Sequence, residues 1–173
     1  MSGTAIVRLR ACALIEDSGR VLLCREDGDA FWTLPGGSVE TGEFSHEALA
    51  RELGEELGCH RFRIGTPFLV CENLFSWRGQ AYQEVVLALH AACEDRALIE
   101  REGPFEGAEP HLTFAWMPLA ELPSLDLRPS VLTGAILNVR NGGIAHECLR
   151  ETSSSGAAPE IRRGPFVASG PIG

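Results

Sequence analysis

Short apolar runs divided by polar turns mark out several predicted β-strands. Residues 5–15 are rich in apolar and β-branched side chains, although Arg8 and Arg10 interrupt the run. Residues 16–19 have the composition of a tight turn, and residues 20–24 return as a second strand, so the two runs predict a hairpin. Further strands are predicted over residues 62–70, 74–77, 82–93 and 113–117, of which 82–93 has the most continuous apolar order.

One segment between these strands has the period of a helix instead. Apolar residues recur there at helical spacings, at Phe44, Ala48, Leu49, Leu53 and Leu57. Ser45 is placed to cap this helix at its N-terminus, and Gly58 lies where a left-handed C-terminal cap is expected. A second helix is predicted over residues 130–139, and the acidic residues 94–110 are predicted to form a loop.

Three carboxylates share one face of the first predicted helix. Glu52, Glu55 and Glu56 stand at positions i, i+3 and i+4, so their side chains project close to one another. Like charges at this spacing repel unless a cation joins them. Carboxylate oxygens suit Mg²⁺ or Mn²⁺, whose usual partners are substrate phosphates. The cluster therefore indicates a metal site for phosphate chemistry; the alternative is an ordinary solvated helix face.

The residues around the cluster favour the metal site. Gly36 and Gly37 precede the helix, where glycine permits a backbone conformation or a close approach that a side chain would forbid. Arg51 stands four residues after Glu47 and four before Glu55. We expect it to pair along the helix and to orient carboxylates near the cation.

Residues 37–59 carry these features in one longer pattern. The pattern is Gly37, five residues, Glu43, seven residues, then Arg51-Glu52-Leu53, one residue, Glu55-Glu56, one residue, Gly58 and Cys59. It resembles the signature of the Nudix hydrolase family (MutT-like) at every charged and glycine position, and only Cys59 stands where an aliphatic residue is more common.

The resemblance implies both a fold and an activity. The implied fold is an α+β Nudix fold, an α/β/α sandwich with a mixed β-sheet and a loop-helix-loop catalytic motif. The implied activity is Mg²⁺-dependent hydrolysis of a pyrophosphate bond in a nucleoside diphosphate linked to another moiety. A nucleoside triphosphate, a nucleotide sugar and ADP-ribose all stay open as substrates, and Mn²⁺ is an alternative metal.

The resemblance also implies roles for residues of the pattern. Glu52, Glu55 and Glu56 would be metal ligands, with Gly36 supplying a backbone carbonyl. Glu55 or Glu56 would also hold or deprotonate the attacking water. Arg51 is grouped with the catalytic residues because, with Glu43, it would set the helix against the loop.

One further ligand or base is expected from outside the pattern, and three residues compete for it. Glu106 and Glu109 lie in the acidic loop before the last predicted strand, and we place Glu106 among the metal ligands. Glu84 lies inside an apolar strand, where an ionised side chain needs a reason, and we place it among the catalytic residues. An ordinary solvent-facing position is the alternative for Glu84.

Three residues are predicted to bind the substrate. Arg25, at the end of the second strand, stands where similar proteins often keep a cation for the phosphates, and its planar donor fork suits that task. Trp32 and Phe75 are candidates for stacking on a base. The alternatives are a surface arginine and aromatic residues that belong to the core.

Composition narrows the class of partner. The 173 residues carry a net charge of −9, which disfavours a nucleic-acid polymer or an anionic membrane surface because both would be repelled. The six cysteines show no zinc-ligand spacing, so reduced thiols in a cytoplasmic protein are expected. No apolar run is long enough to span a bilayer. A small nucleotide is therefore the predicted partner.

The chain divides into two parts by composition. Residues 1–150 are predicted to form a single domain, and residues 151–173 a tail rich in Ser, Gly and Pro. The tail is either flexible or docked across a neighbouring subunit or the site mouth, with Ile161, Phe166 and Val167 as anchors. A homodimer is expected by analogy with similar proteins. The alternative function is a non-catalytic nucleotide-sensing Nudix module.

Overall fold

The computed structural model describes residues 4–139 and 142–151, and the backbone of residues 160–163. Within these ranges the strands are β1 (Ile6–Asp17), β2 (Arg20–Glu26), β3 (Gly36–Ser38), β4 (Phe62–Trp77), β5 (Gln80–Cys93), β6 (Phe105–Glu106), β7 (Leu112–Pro118), β8 (Ala145–Arg150) and β9 (Glu160–Arg163). The helices are α1 (Ser45–Leu57), α2 (Arg96–Ile99), a 3-10 helix (Leu119–Ser124) and α3 (Leu132–Asn138).

The strands form a mixed sheet in the order β6-β7-β2-β1-β5-β4-β8-β9, with β3 paired to β1. The pairs β1–β5 and β4–β8 are parallel, and the other neighbours are antiparallel. The long parallel ladder between β1 and β5 places Arg8 beside Glu84 and Arg10 beside Val86. Charged side chains from both strands therefore meet at one end of the sheet.

Alternate residues of the central strands belong to two separate apolar cores. On β1, Leu14 lies in one core and Ile15 in the other, as the period-two geometry of a strand requires. Helix α3 contributes Ile136 to the first core and α1 contributes Leu53 to the second. Helices thus cover both faces of the mixed sheet, which confirms the predicted α+β architecture.

The ends of α1 agree only in part with the sequence analysis. Phe44 occupies the N-cap position, and the Glu47 carboxylate accepts a hydrogen bond from the Phe44 backbone N–H at 2.8 Å. The predicted Ser45 cap is therefore wrong, and Phe44 is exposed rather than part of the apolar stripe. The C-terminal cap is confirmed, since Gly58 has a φ of 65° and its N–H bonds to the Gly54 carbonyl.

Strand β4 is continuous where the sequence predicts two strands. Glu72 and Asn73 break the apolar pattern, yet they lie opposite Val85 and Glu84 of β5 in the antiparallel ladder. The long partner strand keeps these polar residues extended, so tertiary context outweighs the local pattern. A two-strand interpretation of this region is wrong for that reason.

The predicted acidic loop over residues 94–110 is also more ordered than expected. It contains α2, whose first turn is capped by the Asp95 carboxylate through the Ala97 N–H at 2.9 Å, and it contains β6. Strand β8 has no counterpart among the predicted elements. Both α2 and β6 are too short for a periodic apolar pattern to reveal them.

Of the predicted tail, the structure describes only Glu151 and β9, whose backbone pairs with β8. The rest of residues 151–173, Phe166 and Val167 among them, lies outside the described residues, so the boundary at residue 150 stays a prediction. All six cysteines are free thiols. In the described part of the chain, no helix has the length and apolar content that crossing a membrane requires.

Candidate active site

Helix α1 presents two of the three predicted metal-ligating carboxylates to a cleft. Glu52 and Glu56 are one helical turn apart, so both side chains leave the same face. Both line the cleft, and the buried Glu56 accepts a hydrogen bond from the Gly36 N–H at 3.0 Å. Gly36 belongs to β3, so this contact ties the helix to the sheet.

Neighbouring atoms lie so close to residues 36 and 37 of β3 that both positions require glycine. A Cβ on Gly36 would lie 2.2 Å from the Ala11 carbonyl oxygen, and one on Gly37 would lie 2.3 Å from the Glu52 carboxylate. Gly36 also has a φ of 132°, a conformation that side chains disfavour. The backbone at residues 36 and 37 can therefore approach the β1 backbone and the Glu52 carboxylate this closely only because both residues are glycine.

Arg51 organises the acidic residues of α1. Its Nε donates to Glu43 Oε1 at 2.7 Å and its Nη2 to Glu43 Oε2 at 2.9 Å, a two-point ion pair. Nη1 also donates to Glu52 at 2.9 Å and to Glu55 at 3.2 Å. The expected pairing with Glu47 is absent among these contacts, because that carboxylate bonds to the Phe44 N–H instead. Arg51 thus holds the Glu52 carboxylate in its position at the cleft.

Burial changes the acidity of Glu56. Desolvation raises the pKa of this carboxyl to about 8, with further increases from the Glu52 and Glu109 charges. Arg10 and the Gly36 N–H lower the pKa of the same group but do not cancel the effect of burial. Burial therefore makes the ionised form of Glu56 costly near neutral pH.

The cleft itself has a volume of about 620 Å³. Besides the α1 carboxylates, its lining includes arginines from two strands, Arg8 and Arg10 of β1 and Arg25 of β2. Carboxylates outnumber guanidinium groups among the lining residues. A polyphosphate would therefore meet net negative charge here unless cations accompany it.

A buried polar pair closes the floor of the cleft. Glu84 is 4% exposed and forms an ion pair with Arg8, whose guanidinium carbon lies 4.8 Å from the Tyr82 ring centroid. Asn73, opposite Glu84 in the β4–β5 ladder, is also 4% exposed. Its Oδ1 is buried and has no hydrogen-bond partner within the described ranges, although buried polar atoms ordinarily have one.

The remaining predicted site residues divide between the cleft and its surroundings. Arg25, Phe75 and Glu109 line the cleft, whereas Glu55, Glu106 and Trp32 do not. The Glu55 side chain is 52% exposed and Glu106 lies on the short edge strand β6.

Trp32 belongs to the core, and Arg25 lies over its ring at 4.7 Å from the centroid. Phe75 stacks on Tyr82 with centroids 5.0 Å apart. The functional roles of all these residues stay predictions.

Sequence reasoning did not assign roles to Arg8, Arg10 or Asn73. The two arginines interrupt an apolar strand, and this interruption was the available signal, because a charged residue in a central strand needs a partner or a task. Asn73 falls in the break between the two strands predicted in place of β4. Only the observed register brings it opposite Glu84.

Comparisons with known proteins agree with this geometry. The family model for the NUDIX domain matches residues 7–133. Nucleoside triphosphatase NudI of Escherichia coli O139:H28 is 48% identical over 56 residues, which cover 30% of this chain and 40% of that protein. The matched segment thus spans well under two thirds of that relative's length.

Solved structures show the same fold. The Escherichia coli ORF135 protein has a TM-score of 0.55 and 26% sequence identity, covering 79% of this chain and 92% of that one. The mutator MutT protein of Bacillus halodurans has a TM-score of 0.61 at 16% identity, covering 89% of this chain and 97% of that one. Because the NUDIX model matches most of the chain and the mixed sheet has the same fold as these structures, the chain belongs to the Nudix hydrolase family.

Proposed function

We propose that this protein is an enzyme that hydrolyses a pyrophosphate bond in a nucleoside diphosphate linked to another moiety, with a nucleoside triphosphate as its substrate. The observation that carries the proposal is the convergence of Glu52 and Glu56 with Arg10 and Arg25 at one cleft. Carboxylates that bind a divalent cation and guanidinium groups that bind phosphate oxygens are together what a polyphosphate substrate requires.

The donor set in the cleft fits Mg²⁺. Glu52 and Glu56 offer carboxylate oxygens, and Mg²⁺ commonly binds one or two carboxylates together with substrate phosphates. The raised pKa of the buried Glu56 means that Arg10 and the Gly36 N–H compensate its ionised form only in part, and a divalent cation would add the missing positive charge. The Gly36 carbonyl and Glu55, which lies outside the cleft lining but shares Arg51 with Glu52, complete the proposed ligands, and Mn²⁺ would accept the same oxygen donors. When bound, the ion would neutralise phosphate charge and lower the pKa of a bound water.

The arginines of the cleft would bind and orient the phosphates. The Arg25 guanidinium lies over the Trp32 ring, and its planar fork suits phosphate oxygens. Arg10, which is paired with Ser38 in the β1–β3 ladder, lies near Glu56 and donates to the Leu34 carbonyl at 3.4 Å. Charge from these two residues would hold the polyphosphate with its reacting phosphorus near Glu52 and Glu56.

Two carboxylates outside α1 can accept the proton of the attacking water. Glu84 is buried and ion-paired with Arg8, which orients its carboxylate on the cleft floor. Glu109 also lines the cleft, where it contacts His111 at 3.3 Å. We propose Glu84 as the base and Glu109, in place of Glu106, as the further ligand, since Glu106 does not line the cleft.

Two observations favour a nucleoside triphosphate over a nucleotide sugar. The cleft concentrates guanidinium groups near the acidic residues, where additional phosphates would lie. The relative that matches over 56 residues is a nucleoside triphosphatase by name. For the base, we propose that the buried Asn73 oxygen accepts a hydrogen bond from the nucleotide.

The test is release of pyrophosphate, phosphate and nucleoside monophosphate from nucleoside triphosphates, ADP-ribose, nucleotide sugars and dinucleoside polyphosphates, with Mg²⁺ or Mn²⁺. We expect triphosphates to turn over fastest, and Glu56→Gln to abolish most of that turnover. Faster hydrolysis of ADP-ribose or a nucleotide sugar would replace the substrate proposal but keep the reaction. Nucleotide binding without any turnover would overturn the enzyme proposal in favour of a sensing module.

Two further features of the protein stay predictions. The net charge and the cysteine content favour a cytoplasmic protein that binds small nucleotides. The side chains of Val7 and Leu9, exposed on β1, would suit a contact between two copies of the chain. Light scattering at several protein concentrations tests the homodimer.

A further inference from the structure

A second cluster of metal-ligating side chains lies outside the cleft. Glu72 of β4 contacts His146 of β8, with 2.9 Å between Glu72 Oε1 and His146 Nε2. The Cys148 sulfur lies 3.8 Å from the same Glu72 oxygen and 3.9 Å from the same His146 nitrogen. One carboxylate, one imidazole and one thiol therefore converge on a single point.

The backbone holds this arrangement in place. Glu72 and Cys148 are direct partners in the parallel β4–β8 ladder. His146 precedes Cys148 by two residues on the same strand, so their side chains leave the same face of the sheet. All three side chains therefore come from strands and not from a loop.

The cluster is separate from the proposed active site. Glu72 and Asn73 are adjacent on β4, so their side chains point to opposite faces. Asn73 lines the cleft with Glu84. The cluster of Glu72, His146 and Cys148 thus lies on the reverse face of the same strand pair and shares no side chain with the cleft.

The distances fit a tetrahedral ion. With Zn²⁺–S near 2.3 Å and Zn²⁺–N or Zn²⁺–O near 2.0–2.2 Å, ligand atoms in a tetrahedron are separated by about 3.3–3.6 Å. The three observed separations, 2.9, 3.8 and 3.9 Å, bracket that range. Side-chain shifts of a few tenths of an ångström, on the order of the flexibility of a surface carboxylate, would bring them into line.

The ligand types favour Zn²⁺, and the exposure of the side chains allows the ion to enter. A thiolate and an imidazole favour Zn²⁺ over Mg²⁺, whose preferred ligands are oxygens. The side chains of Glu72 and His146 are 57% and 36% exposed, so an ion can enter from solvent and keep a fourth position for water. We propose that Glu72, His146 and Cys148 form a Zn²⁺ site that links β8 to β4 and stabilises this edge of the sheet.

The experiment is a titration of the full, EDTA-treated chain with Co²⁺, which reports thiolate ligation through a charge-transfer absorption band. In the wild type we expect the band to saturate at one equivalent of Co²⁺, and in Cys148→Ser we expect no band. Cys24→Ser, which removes a thiol lining the cleft, and Glu56→Gln, which removes a proposed Mg²⁺ ligand, should both keep the band. These two controls separate the new site from the proposed active site.

Calorimetry with Zn²⁺ alone completes the test. We expect His146→Gln and Glu72→Gln to weaken Zn²⁺ binding by more than the roughly 10–100-fold caused by loss of an outer partner. Zn²⁺ should raise the melting temperature of the wild type but not that of Cys148→Ser, while the two proteins melt alike in EDTA. The absence of a thiolate band in the wild type, or an equal band in Cys148→Ser, would overturn the proposal. Should Cys148→Ser fail to fold, unchanged Zn²⁺ affinity in both His146→Gln and Glu72→Gln would overturn it.

Discussion

The two walls of the cleft are built in different ways. The acidic wall consists of residues that lie close together in the sequence and are positioned by the short strand β3 and helix α1, namely Gly36, Gly37, Glu52 and Glu56. The cationic wall consists of Arg8, Arg10 and Arg25, which come from two strands and meet only because the sheet has its particular register. Local geometry thus determines the first wall and long-range pairing the second.

This difference predicts different kinetic consequences for the two walls. The acidic wall is where a cation would meet the reacting phosphate, so its loss should reduce kcat. The cationic wall would hold phosphates in the ground state and the transition state alike, so its loss should raise KM. Each substitution below asks whether that separation holds.

The largest effect is expected from Glu52→Gln on the acidic wall. The amide keeps the shape of the side chain but removes the charge that would face the cation, so kcat should fall by about 100-fold or more, as for loss of a single electrostatic donor. Glu47→Gln is the matched control, since this exposed residue lies on the same helix and should keep kcat. Comparable activity in both variants would contradict a metal site at Glu52.

A smaller but still large effect is expected on the floor between the walls. Glu84→Gln should lower turnover more than Glu109→Gln, because Glu84 is buried beside Arg8 and is the proposed base. We expect a loss near the lower end of the range of about 10²–10⁴-fold that removal of a general base typically causes. Equal, unimpaired rates in the two variants would rule out this assignment.

On the cationic wall, Arg25→Ala should raise KM about tenfold for a nucleoside triphosphate and leave kcat nearly unchanged. This corresponds to one charge-assisted contact to phosphate of about 1.4 kcal/mol. Arg101→Ala is a close control, because Arg101 also lies over an aromatic ring, at 4.8 Å from Phe105, but away from the cleft. A lower kcat with unchanged KM would contradict this role and would assign Arg25 to the chemical step, as proposed for the acidic wall.

The same contrast explains how much could be predicted from the sequence. Helical spacing and glycine positions are local properties, so Glu52, Glu56 and Gly36 could be placed together from the sequence. Asn73 could not, because its role depends on lying opposite Glu84, eleven residues away across a turn. Trp32 is predicted to stack on a base, but the structure places it in the core. Burial depends on the whole fold, so a local sequence pattern does not reveal it.

Asn73 offers a moderate effect that tests this long-range assembly. Asn73→Leu keeps the branching of the side chain but removes the Oδ1 atom, which has no hydrogen-bond partner in the part of the chain that the structure describes. Stability should change little, because no protein hydrogen bond to that atom is lost. KM should rise several-fold, and by different factors for different bases. A uniform KM across bases, equal to that of the wild type, would remove Asn73 from recognition.

The smallest effect concerns the support of the acidic wall rather than its chemistry. Hydrogen bonds from Arg51 lower the pKa of Glu43 to about 2 from its ordinary 4.5. A carboxyl with a lowered folded-state pKa stabilises the fold above its unfolded pKa, and this contribution is lost as the pH falls towards the folded value. The urea midpoint of the wild type should therefore exceed that of Glu43→Gln at neutral pH, and the difference should shrink as the pH falls below 4.5. A difference that persists undiminished in acid would mean that the ion pair is not its source, and that the loop and helix are held together by packing and by the Gly36–Glu56 hydrogen bond instead.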